Sequence, residues 1–323
     1  MKHPLRDWLE YAGLTAAAWL VRQLSFRALR PLANLIGSIV YWCDPRGRRT
    51  ALQNIESAFP GKFSPARKRW IARGSYRNFA RTMLELFWAP NLTEEFVREH
   101  IVFEGWDRDP CAGSPTKSVI NCCMHFSNFE WISLIGAYSI TRGPVIAQNF
   151  KNKFLGPIFN QLRASTGSTV IPQERAMLKM LKHLKSGGKF GMLIDLNIDP
   201  RQGAVPITTF GGLMASVTPA HVALAQRTGA VIAPFECHPL PDGRYRMIQH
   251  APIACPPEAD PAELAQKCWD ALEPGIHAHP ECWLWPYKHW RYKPRENHER
   301  YPAYANFLVR FDELLKSHGH AGA

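Results

Sequence analysis

The sequence predicts an α/β protein: a mixed, mostly parallel sheet flanked by helices, preceded by a helical and strongly basic N-terminal region. Three observations lead there. From about Ile101, short apolar runs rich in β-branched residues alternate with segments of helical period, punctuated by glycine and proline. Such alternation is how a sheet with covering helices reads in one dimension. Before Ile101 only helical periodicity is found. The charge follows the same division. The formal net charge is +12, yet the first 80 residues hold 14 Lys and Arg against 4 Asp and Glu, which leaves +2 for the other 243. The expected organisation is therefore a helical, basic region over 1–95, read as membrane-associating, an α/β domain over 96–310 and a tail over 311–323.

The basic region contains two uncharged, largely apolar runs, Tyr11 to Val21 and Pro31 to Cys43, with Arg22, Arg27 and Arg30 between them. Each is shorter than the ~20 residues a bilayer span needs. Basic flanks with Trp8, Trp19, Phe26, Tyr41 and Trp42 suit helices lying in a membrane interface; a pair of amphipathic helices packing on a core is the plain alternative. Only Tyr11 to Leu14 separates Glu10 from the small-residue run Ala16-Ala17-Ala18, too short for a signal core, so secretion is not expected. Arg46-Gly47-Arg48-Arg49 leads into a helix ending at Pro60-Gly61. Ser64-Pro65 opens another, with Trp70, Ile71, Tyr76, Phe79, Met83, Leu84 and Phe87 at helical spacing, closed by Pro90. About three helical elements are expected.

In the α/β part, strands are expected at Ser118–Met124, Pro144–Gln148, Thr169–Pro172, Phe190–Asp195 and Val231–Glu236. Helices are expected at Phe129–Ile140, Phe154–Thr166, Glu174–Leu184 and Thr218–Thr228. A loop is expected from Asn197 to Met214, and Pro241-Asp242-Gly243 turns into an antiparallel strand, Arg244–Ile248. Pro261 to Arg310 reads as mostly helical. Composition is that of an ordinary globular chain, with 46% hydrophobic and 20% charged residues. The eight cysteines, two adjacent in an apolar strand, fit neither a disulfide framework nor a zinc module and read as reduced core residues. No GxGxxG follows a strand, Ser186-Gly187-Gly188-Lys189 lacks the frame of a Walker loop, and neither GxSxG nor HExxH occurs.

The stretch Val119 to Trp131 holds the clearest chemistry. A buried strand runs into His125, a polar turn follows, and Glu130 precedes a new apolar run. His125 is thus placed at the carboxyl end of a strand, where open α/β sheets gather ligands. Five positions do not share a helical face, so His125 and Glu130 can meet only with the histidine in the turn and the glutamate on the first helical turn. Held so, His125 is a general base; the plain alternative is a histidine that caps the helix. A second cluster, Trp283 to Lys293, interleaves aromatic and basic residues. It suits nucleobase stacking, interface anchoring, or simple core packing.

These residues together resemble the bacterial late acyltransferases of lipid A synthesis, the lauroyl and myristoyl transferases, which share a His-x4-acid motif with the glycerolipid acyltransferases. The resemblance runs in order through Ala51-Leu52-Gln53-Asn54-Ile55 with Ala58-Phe59-Pro60, Arg77 to Thr82, His125-Phe126-Ser127-Asn128-Phe129-Glu130, Asn160-Gln161-Leu162-Arg163, Phe210-Gly211, Thr218-Pro219-Ala220, and His279-Pro280-Glu281-Cys282-Trp283-Leu284-Trp285. The usual motif is His-Phe-Gly-Asn-Trp-Glu, so Ser127 and Phe129 depart from it. Asp195 is followed by Leu196-Asn197 where Asp-Gln is common, and Pro274 interrupts a helix that is usually smooth.

The resemblance implies a glycerolipid-acyltransferase-like fold and acyl transfer from a thioester, on acyl carrier protein or coenzyme A, to a lipid hydroxyl. His125 would take the hydroxyl proton, an imidazole ordinarily titrating near ~6.5, with Glu130 fixing its tautomer. Arg163 is the candidate for the oxyanion or an acceptor phosphate. Asp195 ends a strand in the same sheet region, its role open and a supporting hydrogen-bond acceptor one reading of it, and Asn128 joins the two among the substrate-binding candidates. This chemistry requires no metal or redox cofactor. The implied place is the cytoplasmic face of the inner membrane, peripheral or monotopic, with an anionic membrane surface, a carrier-borne acyl donor and a lipid acceptor as partners. A lysophospholipid or aminolipid acceptor, a non-catalytic peripheral membrane protein, and a basic nucleic-acid-binding protein are the alternatives; no nucleic-acid motif supports the last.

Overall fold

The computed structural model describes residues 4–105, 116–139, 143–147, 152–172 and 176–319. The expected helix end at Ile140, strand end at Gln148 and helix start at Glu174 lie outside them.

Four helices open the chain: α1 (Pro4–Arg22), α2 (Phe26–Cys43), α3 (Pro45–Ala58) and α4 (Pro65–Trp88), with α5 (Glu94–His100) behind them. Local chemistry sets their ends. Asp44 accepts the Gly47 N–H and Ser64 the Arg67 N–H, each followed by a proline at the first helical position, where its missing N–H costs nothing. Helix α2 lies tight against α4. A Cβ at Gly37 would stand 2.4 Å from the Arg77 Cα, so only glycine admits the approach. Ser38 beside it accepts from the guanidinium groups of Arg73 (3.1 Å) and Arg77 (2.9 Å). Of the five aromatic residues expected at an interface, Trp8, Trp19 and Trp42 are exposed, whereas Tyr41 is buried and Phe26 packs edge-on against Phe96 and Trp131. Trp70 and Phe79, counted in the helical spacing of α4, are exposed.

The α/β part is built on a five-stranded sheet of β1 (Ile101–Glu104), β2 (Val119–Cys123), β5 (Lys189–Leu193), β8 (Val231–Pro239) and β9 (Tyr245–Gln249), in the order β1-β9-β8-β2-β5. Only β8–β9 is antiparallel; the other three pairs are parallel. The mixed, mostly parallel sheet expected from the sequence is therefore present. Helices cover both faces, which is why β2 reads as a continuous apolar run and not as an alternation. Ile120, Cys122 and Ile232 pack with α9 (Ala220–Thr228) and α10 (Pro261–Ala278), while Phe235, Tyr245 and Met247 pack with α4 and α6 (Trp131–Ser139). Helix α10 runs through Pro274 without a break. Beside the sheet edge lie β3 (Val145–Ala147) and β4 (Val170–Pro172), paired with each other, and helices α7 (Leu155–Ala164) and α8 (Ala176–Lys185).

Two expectations need correction. The segment Asn197 to Met214 is not all loop: β6 (Val205–Thr209) and β7 (Leu213–Val217) form an antiparallel hairpin. Its turn is Phe210-Gly211-Gly212, all at positive φ. Period-two alternation is hidden there because both faces are buried. Nor is Pro261–Arg310 mostly helical. After α10 the chain runs irregularly, with short β10 (Tyr292–Lys293) and β11 (Asn306–Phe307), until α11 (Val309–Ser317). The irregular stretch is held by burial: Trp283, Trp285 and Trp290 are all within 1% of full burial. Their faces are core, not a stacking platform. Helix α11 packs Phe311 and Leu315 on Met214.

Asn54 ties α3 to this C-terminal stretch. Fully buried, it donates to the carbonyls of Trp285 (2.8 Å) and Tyr287 (2.7 Å) and accepts from the Tyr304 hydroxyl (2.5 Å). Replacing Asn54 by Ala strands two carbonyls in the core. A loss of about 2–4 kcal/mol is expected in urea unfolding, more than a surface substitution gives.

Candidate active site

The register of β2 and β5 assembles the centre. Cys123 lies opposite Leu193, and each strand continues for two residues to the side chain that matters, His125 and Asp195. The Ile194 N–H donates to the Cys123 carbonyl at 3.0 Å, so the pairing persists beyond the strands. Asp195 then takes the histidine in both hands. Its Oδ1 meets His125 Nδ1 at 2.7 Å, and its Oδ2 accepts the His125 backbone N–H at 3.0 Å. The Trp283 indole N–H donates to the same Oδ2 at 2.9 Å. Burial alone would raise the Asp195 pKa, but the His125 imidazole, His289 and the indole outweigh it and bring it down to about 2. At neutral pH Asp195 is thus a carboxylate that accepts from Nδ1, and Nε2 is the ring nitrogen turned away from it. The imidazole remains partly accessible, its side chain 13% exposed.

This corrects the expected pairing. No hydrogen bond joins His125 to Glu130. Helix α6 begins at Trp131, so Glu130 is in the turn before it, its carbonyl accepting the Leu134 N–H. Its carboxylate is occupied by Arg163 of α7, with Nε on Oε2 at 3.0 Å and an Nη on Oε1 at 2.5 Å. The helix cap is not His125 either. Asn128 Oδ1 accepts the Trp131 N–H at 3.3 Å. Asn128 is 1% exposed, and its amide donates inward to Glu85 at 2.5 Å, which braces the turn. Arg163, mostly covered and paired with Glu130, is kept charged because that carboxylate outweighs the burial opposing it.

Helix α4 holds the turn from behind, through residues that its apolar period does not single out. Ser75, Asn78, Thr82 and Glu85 recur at three- and four-residue steps and form one polar stripe turned toward the core. Asn78 and Thr82 bond the Ser127 carbonyl (3.2 and 3.0 Å), and Ser75 bonds the Trp283 carbonyl (2.5 Å) and the Trp285 N–H (3.1 Å). Gly74 permits the contact: a Cβ there would lie 2.6 Å from the Glu281 Cβ. Glu85, wholly buried, accepts from Arg81 (2.6 Å), Asn128, the Trp131 indole (2.6 Å) and the Tyr245 hydroxyl (2.7 Å). Burial pushes its pKa up, with Arg81 and Tyr245 pulling against that. Four donor groups thus converge on its two oxygens. The signal in the sequence is the spacing 75, 78, 82, 85 of polar residues on a helix that otherwise reads as core.

A family model described as bacterial lipid A biosynthesis acyltransferase matches residues 2–292 of the chain. The chain belongs to that family. A curated relative, the lipid A biosynthesis lauroyltransferase of Escherichia coli (strain K12), is 26% identical over 314 residues, covering 93% of this chain and 96% of the relative. The resemblance drawn from the motifs is therefore correct, and the protein is an acyltransferase of the lipid A type.

Within this acyltransferase, Ser127 stands where the family motif usually has glycine, and its φ is +50°. That left-handed conformation costs a residue with a Cβ roughly 1–2 kcal/mol, and the buried Ser127 hydroxyl has no N or O partner among the described residues, with only the Cys237 thiol beside it. Ser127→Gly is expected to stabilise the protein by about 1 kcal/mol after the entropy of the more flexible unfolded chain is subtracted, visible as a small rise in Tm. Asp195 gives a second expectation. Its folded pKa lies below the ~3.9 of an unfolded chain, so its stabilisation is complete above pH ~4 and is lost as pH falls toward 2. Wild type should lose about 2 kcal/mol over that window, and Asp195→Asn should lack this component in acid titrations followed by circular dichroism.

Proposed function

We propose that the protein transfers a fatty acyl chain from an acyl thioester, carried by acyl carrier protein or coenzyme A, to a hydroxyl of a lipid A precursor or related glycolipid. The observation that carries this reading is the 2.7 Å contact between His125 Nδ1 and the Asp195 carboxylate, with no partner to Nε2 among the described residues. A lipid hydroxyl is a weak nucleophile at neutral pH. As its oxygen attacks the thioester carbonyl, Nε2 takes its proton. Collapse of the tetrahedral intermediate breaks the C–S bond, and the imidazolium returns the proton to the departing thiolate. Asp195 stabilises the transient imidazolium, the role first expected of Glu130. Glu130 instead positions Arg163, whose guanidinium is the cation available to a developing oxyanion or an anionic headgroup. The relative's name makes a lauroyl thioester the first donor to try.

The same reading sets the enzyme at the cytoplasmic face of the inner membrane. No helix among the described residues is long and apolar enough to cross a bilayer. Helices α1 and α2 expose Leu5, Trp8, Trp19, Leu35, Ile39 and Trp42, each more than half accessible, next to a strongly basic stretch. Apolar side chains beside clustered cations favour an anionic interface, and the basic stretch equally suits an acidic acyl carrier protein.

Transfer from acyl carrier protein to lipid acceptors, followed by thin-layer chromatography or mass spectrometry, tests the assignment. His125→Ala should lower kcat by ~10²–10⁴-fold with the fold intact, and Asp195→Asn should approach it. Glu130→Gln should act chiefly on KM and stability. Full activity in His125→Ala, or a Glu130→Gln defect in kcat that exceeds that of Asp195→Asn, would overturn this division of roles.

A further inference from the structure

The turn between β8 and β9, the start of α2 and the end of α5 enclose a pocket of about 410 Å³ that the acyl-transfer chemistry leaves unused. Its size falls in the range of ligand sites. Four arginines line it: Arg27 and Arg30 of α2, Arg81 of α4, and Arg244. Two are already neutralised, Arg81 by Glu85 at 2.6 Å and Arg244 by Asp242 at 2.7 Å. Arg27 and Arg30 form no ion pair among the described residues. Arg30 spends one N–H on the Pro241 carbonyl at 3.2 Å, which draws its guanidinium toward the turn. Glu99, exposed on α5, is the one carboxylate of the lining outside those pairs.

Placement gives the pocket its meaning. Strand β8 runs parallel to β2 and continues to Pro239, so the turn after it rises from the same carboxyl edge that carries His125. The His238 ring near the end of β8 lies 5.0 Å from that of Phe126, inside the motif. Arg81 ties the pocket to the motif, since its partner Glu85 also holds Asn128. Trp19 and Leu20, both more than half exposed, close α1 just before the turn into α2.

We infer that this pocket is a phosphate-ester subsite for a lipid headgroup, gripped by the guanidinium groups of Arg27 and Arg30, which no carboxylate among the described residues neutralises. Planar forks with parallel N–H donors match phosphate oxygens in pairs. The inference rests on the proposal that the protein works on a lipid at a membrane surface. The phosphate ester can belong to the acceptor or to a bilayer phospholipid, and the experiment separates the two.

The full-length double variant Arg27→Gln/Arg30→Gln changes two exposed side chains, and its folding is checked by Tm. Three arms follow. Binding of glycerol 3-phosphate is measured by calorimetry. Flotation uses phosphatidylcholine vesicles with and without phosphatidylglycerol. KM is measured in neutral micelles for a phosphorylated acceptor and its dephosphorylated form. Glycerol 3-phosphate should bind the variant about tenfold more weakly or worse. A phosphate from the acceptor raises KM for the phosphorylated form alone; one from the bilayer lowers affinity for phosphatidylglycerol vesicles and leaves KM in micelles unchanged. Arg27→Lys/Arg30→Lys keeps the charge without the fork and should recover vesicle attraction but not glycerol 3-phosphate binding. Equal behaviour of wild type and the glutamine variant in all three arms overturns the subsite. The first two arms need no turnover, so they are decided independently of the acyl-transfer reading.

Discussion

Everything in the site depends on a pairing that the sheet itself enforces: His125 opposite Asp195, each two residues beyond the last paired positions of adjacent parallel strands. A wholly buried carboxylate is tolerable only when its oxygens are engaged, because an unpaired one would cost several kcal/mol. Asp195 meets that condition with three donors, two of them from His125. The backbone bond fixes where the histidine is and the ring bond fixes how its imidazole is turned. Ring orientation and position are thus set by one side chain, before any substrate arrives. The remaining donor, Trp283, brings the C-terminal segment into the same arrangement. Its backbone bridges to Phe126, and the Leu284 N–H donates to the His125 carbonyl at 3.1 Å.

The motif turn is held with equal thoroughness from the other side. Its backbone at Ser127 is in a left-handed conformation that a serine adopts reluctantly, so something must over-determine it. Helix α4 does so, presenting Asn78 and Thr82 to the Ser127 carbonyl and Glu85 to Asn128. Such a network is worthwhile only if its members are satisfied, and at Glu85 both oxygens are engaged, Oε1 by Arg81 and Oε2 by Asn128, Trp131 and Tyr245. The N-terminal helices are therefore part of what holds the motif turn, whatever their outer faces do. Gly37 and Gly74 mark the two approaches, α2 to α4 and α4 to the Glu281 segment, that make this packing possible.

Much of this is legible in the sequence. Strands β2, β5 and β8 and the helices between them follow from apolar runs and glycine or proline stops, and His125 at a strand end follows from the break after Met124. The partner does not follow. Asp195 lies 70 residues from His125, and nothing local links them; only the strand order, which periodicity does not give, makes them neighbours. Glu130 is the nearer carboxylate in the chain, and so the one that local spacing selects. The β6–β7 hairpin is hidden because a strand buried on both faces loses its alternation. The segment from Trp283 onward reads as helical although its three tryptophans, spaced unevenly, pack as an irregular chain that no period describes. The bracing role of Asn128 and the polar stripe of α4 escape sequence reasoning for one reason: short polar side chains in a helix or turn look solvated until the fold shows what covers them.

The two carboxylates near the motif illustrate why proximity in sequence is a poor guide to role. Asp195 acts on the base. Glu130 and Arg163, with side chains only 6% and 17% exposed, form a mostly buried bidentate pair that joins the motif turn to α7. Removing one partner of such a pair leaves an uncompensated charge, at a cost of about 3–5 kcal/mol. A protein that lost Glu130 would therefore be destabilised even though Glu130 does not bond the histidine, because Arg163 would lose its fixed position and the turn its tie to α7. The His-x4-Glu spacing is then explained by the turn and not by a relay. Four intervening residues carry the chain from the end of β2, through a left-handed Ser127 and the Asn128 cap, to the position from which a glutamate reaches across to α7. The histidine and the glutamate share a motif because one turn must hold both, and they serve the site from opposite directions.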